Sequence, residues 1–210
     1  GLTDADPRPT HGVRAPILSP GGIAFFGRDR ESSRQVWSAE VGYPGDVDYR
    51  EFYRDVGWEL PLPALGDLIS DGLRKNVGIK YYRVTGKVDL HEKQPYVREW
   101  ALAKAARHAR HFMNERQSQI AREAGRMDRP PLIVTPYDAE LFGHWWFEGP
   151  EWIDALLRKI ARDPASPGLI TPTGYLQEYP RCQAATPSPS SWGQEGYASV
   201  WLDRSNDWIY

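Results

Sequence analysis

With one cysteine, Cys182, this 210-residue chain cannot form an internal disulfide, which removes the usual mark of an oxidising compartment. The cytoplasm is the expected setting. Neither sign of charge dominates: 26 Lys and Arg stand against 28 Asp and Glu, a net charge of -2. Nothing electrostatic favours a polyanion, so no nucleic-acid partner is expected. No apolar run approaches the roughly 20 residues that cross a bilayer, and no basic segment followed by an apolar one opens the chain. A soluble protein with no membrane partner is expected. The chain also lacks Met at position 1 and starts irregularly, which suggests a piece of a larger protein.

What is present is aromatic. Nine Trp, eleven Tyr and six Phe occur in a chain whose mean hydropathy is -0.60, too many rings in too polar a context for all of them to be core. Flat ring faces in polar surroundings suit ligands with one apolar face and a hydroxyl rim, which describes sugars. An apolar fraction of 40% is enough for one domain with a real core. The 18 Pro and 19 Gly exceed average usage without reaching the level of disorder, so long, stiff loops are expected.

Along the chain, residues 1–22 read as an irregular segment. Ile23 to Gly27 (IAFFG) has the form of a buried strand, and Asp29 can cap a helix over Glu31 to Ser38. Gly42-Tyr-Pro-Gly45 is a turn. Tyr49 to Val56 predicts a short helix from Phe52, Tyr53 and Val56, and Ile79 to Thr85 a strand. Val97 to Ala124 is the clearest helix, with Val97, Trp100, Ala105, Ala109, Phe112, Met113, Ile120 and Ala124 near a 3.6 period. Leu132 to Thr135 (LIVT) reads as a strand covered on both faces, and Pro150 opens another helix that stops before Pro164. From Pro164 to Gly196 the composition is that of a linker or domain edge, and Asn206-Asp207 looks like a helix cap. Strands alternating with helices, without an internal repeat, point to an α/β architecture.

Functional side chains are densest in Tyr137 to Pro150 (YDAELFGHWWFEGP), directly after LIVT. Catalytic groups in parallel α/β folds sit just past the carboxyl ends of strands, where Asp138 falls. Partial desolvation beside Tyr137, Trp145 and Trp146 would raise its pKa toward that of a general acid. The plainer reading is an Asp that caps the next turn. His108, His111 and Glu115 share a helical face with metal-like spacing but read better as a solvated charged face. Asp4-Ala-Asp6 is too short to carry a metal assignment. Arg28, Arg30 and Arg34 read as ion-pair partners of Asp29 and Glu31. Glu140 reads as structural or as a support behind the reacting groups, and Glu148 is left open.

The string YDAELFGHWWFEGP resembles the fourth conserved region of glycoside hydrolase family 57, in its branching-enzyme form. FGRDRESSRQVWS (Phe26 to Ser38), GYPGDVDYREFYRDVG (Gly42 to Gly57), IKYYRVTG (Ile79 to Gly86), SSWGQEGYASVWL and NDWIY (Ser190 to Tyr210) extend the resemblance in the right order. It implies α/β class: the second half of an incomplete (β/α)7 barrel over residues 1–179, running into the start of a mainly helical C-terminal domain over 180–210. Asp138 takes the acid/base position. Trp37, Trp192 and Trp201 match aromatic positions lining a glucan cleft, and His144, Trp145 and Trp146 surround the acid/base.

The implied chemistry is retaining transfer of an α-1,4-glucan to a 6-hydroxyl, without metal or other cofactor, in a full-length monomer. No segment resembles the regions that bear the family's nucleophile and first His motif, so half an active site is expected, in a fragment inactive by itself. Glu40, Glu51, Glu148 and Glu178 are the carboxylates that folding would have to bring to Asp138 otherwise. Two alternatives stand beside branching. One is a family 57 α-amylase or 4-α-glucanotransferase, and the other is a non-catalytic protein that binds α-glucan.

Overall fold

A computed structural model describes residues 1–38 and 41–191. In chain order its regular elements are β1 (Ile17–Leu18), β2 (Ala24–Phe25), α1 (Arg30–Trp37), α2 (Val56–Glu59), α3 (Leu62–Leu65), α4 (Arg98–Ala124), α5 (Gly149–Arg162), α6 (Pro172–Glu178) and β3 (Gln183–Ala184), with short 3-10 turns between them. Helices alternating with short strands make the class α/β. None of the described helices is long and apolar enough to cross a membrane. The described residues divide into two units, one of Gly1–Asp29, Ser118–Thr135 and 168–191, the other of Arg30–Gln117 and Pro136–Pro167.

The first unit is built on a small sheet in the order β2-β1-β3, with β1 antiparallel to β2 and parallel to β3. Ile17 on β1 is buried with Ala5 and Ala185, and Leu2 packs against them. Leu132–Thr135 contributes one parallel bridge, Val134 with Arg28, and all four residues are only half-buried. The run is therefore not covered on both faces as its apolar pattern predicts. IAFFG differs as well: only Ala24 and Phe25 are strand, and Ile23 is 61% exposed, because a two-residue strand at the sheet edge covers little of itself. The Pro- and Ser-rich stretch after Pro164 is not a plain linker, since α6 and β3 lie within it. Thr171 caps α6 by accepting the Gly174 N–H at 3.1 Å, and the Tyr175 hydroxyl donates to the Pro130 carbonyl at 3.1 Å. Buried Asp29 accepts from Arg14 Nη1 at 2.5 Å and from Gln119 Nε2 at 2.8 Å.

The second unit holds the larger core. Ala101, Ala105 and Ala109 recur every four residues on α4, and these small side chains leave room for Tyr43, Tyr49, Phe112, Trp146 and Trp152 in one buried cluster. Trp100, placed on the apolar face by the period, is 52% exposed; Ala101 takes the core position instead. The histidines of α4 are tied to the same core. His108 Nδ1 pairs with the Tyr49 hydroxyl and His111 Nδ1 with the Tyr43 hydroxyl, both at 2.8 Å, and the His108 ring stacks on Tyr43 at 4.5 Å. His108 is half-buried and serves the core, whereas His111 stays exposed, as expected of a solvated charged face. Burial lowers the His108 pKa to about 4, so its ring is neutral at pH 7.

The helix expected over Tyr49 to Val56 is displaced. Residues 49–51 are not helical: Arg50 forms an antiparallel bridge with Arg83, Val84 N–H donates to the Tyr49 carbonyl and Glu51 N–H to the Tyr82 carbonyl, both at 2.8 Å. The helix, α2, starts at Val56, where that expectation ended, because Asp55 caps it by accepting the Gly57 N–H at 2.8 Å. Cross-strand pairing with the Ile79–Thr85 segment overrides the local helical spacing. Asp55 also accepts from the Val77 and Gly78 N–H groups and pairs with Lys80 at 3.0 Å, fastening a small cluster of Val56, Leu65 and Ile69.

Candidate active site

The loop from Tyr137 to Gly149 is an alternation of anchors and presented groups. Leu141 and Trp146 are buried in the core, whereas Asp138, Glu140, His144 and Trp145 are exposed. The chain reverses between the two anchors. The Trp146 N–H donates to the Leu141 carbonyl and the Gly143 N–H to the Trp146 carbonyl, both at 2.8 Å. Gly143 takes φ +94°, a conformation open to glycine, and Gly149 has no room for a side chain, since a Cβ there would lie 2.7 Å from Phe142 Cδ1. Tyr137 reaches α1, its hydroxyl donating to the Ser32 carbonyl at 3.2 Å.

Asp138 occupies the cap position of the 3-10 turn Ala139–Leu141, and its carbonyl accepts the Leu141 N–H at 3.1 Å. Its side chain makes no cap hydrogen bond there, so the helix-capping reading does not account for the carboxyl group. Its exposure overturns the expected desolvation by Tyr137, Trp145 and Trp146: Trp146 turns into the core and Trp145 turns outward.

Trp145 is 48% exposed and stacks on Phe52 at 4.4 Å and 25°, with the His144 ring 5.6 Å from Phe52 and 5.3 Å from Trp145. This pair is an aromatic platform with an open face. Trp146, 1% exposed, has no face for a ligand, so its place among the substrate-binding residues is corrected: it is the floor that holds the loop. Trp37, the last residue of α1, is half-buried. Trp192 and Trp201 lie outside the described residues, as do Glu40 and Asn206-Asp207.

The sequence pattern leaves Glu148 open and reads Phe52 only as a helical position. Glu148 is 1% exposed; its Oε1 accepts the Arg50 N–H at 3.1 Å, and the Tyr96 hydroxyl interacts with the same carboxyl group. Burial raises its pKa against the pull of these partners. The Arg50 guanidinium lies 3.6 Å over the Phe147 ring. Glu148 thus fastens the end of the loop to a segment 98 residues earlier. Locally, a carboxylate before Gly149-Pro150 looks like a helix cap, and only its long-range partners reveal the clamp. Among the other carboxylates, Glu51 is buried and accepts the Tyr53 N–H at 2.7 Å, and Glu178 is exposed on α6.

No family model matches the chain. It is 34% identical over 197 residues to the 1,4-alpha-glucan branching enzyme TK1436 of Thermococcus kodakarensis, spanning 92% of this chain and 26% of that protein. Its structure is similar to that of the novel alpha-amylase AmyC of Thermotoga maritima, with TM-score 0.87 and 42% identity over 100% of this chain and 39% of that one. It is also similar to the GH57-type branching enzyme of Pyrococcus horikoshii, with TM-score 0.79 and 34% identity over 93% and 33%. The chain therefore spans between a quarter and two-fifths of the length of these proteins.

Proposed function

Because this chain belongs to glycoside hydrolase family 57 over the part of that family's length it spans, we propose that it is the acid/base-bearing part of a cytoplasmic, monomeric 1,4-α-glucan branching enzyme. In this reading residues 1–179 are the second half of an incomplete (β/α)7 barrel and 180–210 begin a helical C-terminal domain. The substrate is an α-1,4-glucan, and no metal or cofactor takes part. The observation that carries the reading is Asp138: a solvent-facing carboxyl group at the start of a loop that is itself fixed by buried Leu141, Trp146 and Glu148.

A carboxylate from the part of the enzyme outside this chain attacks the anomeric carbon. Asp138 gives its proton to the glycosidic oxygen as the C1–O bond breaks. In the second half, Asp138 takes the proton from an acceptor 6-hydroxyl as its oxygen bonds to C1 and the enzyme–sugar bond breaks. The exposure of Asp138 in this chain gives the glucan a part in the chemistry: the bound sugar and the facing half of the site supply the desolvation that a general acid needs. Trp145 on Phe52 offers a ring face to the glucan, and the resemblance assigns Trp37, Trp192 and Trp201 to glucan binding as well.

A second reading, hydrolysis by an α-amylase, is favoured by the 42% identity to AmyC. Incubation of the full-length enzyme with amylose, followed by debranching and sizing of the released chains, separates them. New 6-linked branches support transfer to a 6-hydroxyl; reducing ends without branches overturn it, and unchanged amylose leaves only glucan binding. Asp138→Asn in the same enzyme is expected to lower turnover by at least about 10²-fold with glucan affinity retained, and a variant keeping more than about a tenth of activity removes Asp138 from the acid/base role.

A further inference from the structure

A second group of charged side chains surrounds a cavity of about 560 Å³ in the unit built on β1 and β3. Arg126, Arg129 and Arg181 line it, with His11, Asp128 and Cys182. His11 precedes β1 and Arg181 precedes β3, and these strands are parallel, so the cavity opens at their amino ends. Catalytic groups of parallel α/β folds gather at the carboxyl ends, so this is not where catalysis is expected.

The charges do not cancel. Asp128 accepts from Arg129 Nε at 2.9 Å and Nη2 at 3.2 Å, and His11 Nε2 lies 3.0 Å from the same carboxylate. Arg129 Nη1 donates to the Arg181 carbonyl at 2.6 Å, so its fork is committed to shaping the wall. The guanidinium groups of Arg126 and Arg181 have no ion pair or hydrogen bond among the described residues. Two arginines without an ion-pair partner among the described residues therefore line one cavity in a chain whose net charge is -2. The wall is fixed in advance. Gln183 joins the first loop to β3, its Nε2 donating to the Arg8 carbonyl at 3.0 Å and its Oε1 accepting the Thr10 N–H at 2.8 Å. Pro9, Ala15, Pro16 and Ile17 give the remaining lining an apolar face.

We infer that this cavity binds a small organic phosphate monoester. Arg126 and Arg181 match the two charges of the phosphate with planar forks, and the proline-rich wall receives the organic part. The volume is that of an ordinary small-molecule site, about 300–1,000 Å³, and exceeds what a bare ion fills. The inference does not rest on the branching reading.

Cys182 supplies the readout, because a ligand in the cavity shields its thiol from alkylation. In the full-length protein the alkylation rate of the Cys182 peptide is followed by mass spectrometry against glucose 6-phosphate, inorganic phosphate, glucose and maltoheptaose. Glucose 6-phosphate is expected to protect saturably in the millimolar range, inorganic phosphate at least about threefold more weakly, and the neutral sugars not at all. Arg126→Ala and Arg181→Ala are each expected to weaken protection at least about fivefold, and the double variant to abolish it, with melting temperature unchanged because both side chains are exposed. Failure to saturate by about 20 mM, equal protection by glucose, or full protection in the double variant overturns the site. Equal binding of inorganic phosphate overturns the organic part of the ligand.

Discussion

The loop from Tyr137 to Gly149 and the arginine-lined cavity show two ways of holding exposed side chains. In the loop, exposed Asp138, His144 and Trp145 alternate with Leu141, Trp146 and Glu148, each at least 96% buried. In the cavity, Arg129, Asp128 and His11 hold one another through polar contacts near the surface, and Asp128 has a side chain 66% exposed. Burial of rings places a backbone to within fractions of an ångström, because an interior of that density has few alternative packings. Exposed ion pairs do so weakly, since water and salt compete with each contact. A site for bond-making chemistry needs the first kind of support, and reversible capture of an anion can be built on the second.

The sharpest break in that contrast is a pair of adjacent tryptophans. Trp146→Ala is expected to destabilise the protein by about 3–5 kcal/mol, the range for emptying a buried indole site, whereas Trp145→Ala costs at most about 1.5 kcal/mol and lowers glucan affinity instead. Chemical unfolding of both variants, with glucan titration, decides it; equal destabilisation would mean that Trp145 is also part of the floor.

Gly149→Ala tests how tightly the loop is closed onto α5. The added Cβ would sit 2.7 Å from Phe142 Cδ1 and 2.9 Å from its Cα, so a loss of about 1–3 kcal/mol is expected, with activity falling alongside stability as the loop shifts. Retained stability would show a loop more yielding than its anchors imply.

The histidine on α4 gives the core a pH dependence. Burial depresses the His108 pKa from its ordinary 6.5 to about 4, so the folded state binds fewer protons than the unfolded one. Its stabilisation is full above pH 6.5 and is lost as pH falls through 6.5 toward about 4, by about 2 kcal/mol. Urea unfolding between pH 7.5 and 4 for the wild type and His108→Gln reads this directly, and identical slopes in that window would refute it. The smallest effect belongs to the cavity: Asp128→Asn is expected to leave the melting temperature unchanged and to strengthen phosphate protection of Cys182 by removing a negative charge, and a marked drop in melting temperature would make the surface pairs structural after all.

Much of the regular structure was legible locally. The long helix was read to within one residue at its start, since periodic apolar positions between good helix formers need no distant partner to declare themselves. The start of α5 at Gly149-Pro150 was legible for the same reason. The helix expected at Tyr49 to Val56 was not, because residues 49–51 pair with 82–84, and propensity carries no trace of a partner that far away. Of the candidate site, the identity of the loop came from its side-chain string, but its inside and outside did not: Trp145 and Trp146 are adjacent and identical, and only the packing against Trp152 and Tyr49 distinguishes them.

By itself, then, the sequence determined the long helix and the start of α5, the punctuation by Pro and Gly, and the motif that carries the family resemblance. Each of these is encoded in neighbouring residues. Tertiary structure alone decided which tryptophan is floor and which is platform, that Glu148 clamps the loop to Arg50, that His108 is half-buried and neutral, and that Arg126 and Arg181 line a common cavity. Those outcomes depend on contacts between residues far apart in the chain, and burial, which sets both packing and charge state, exists only once such contacts have formed.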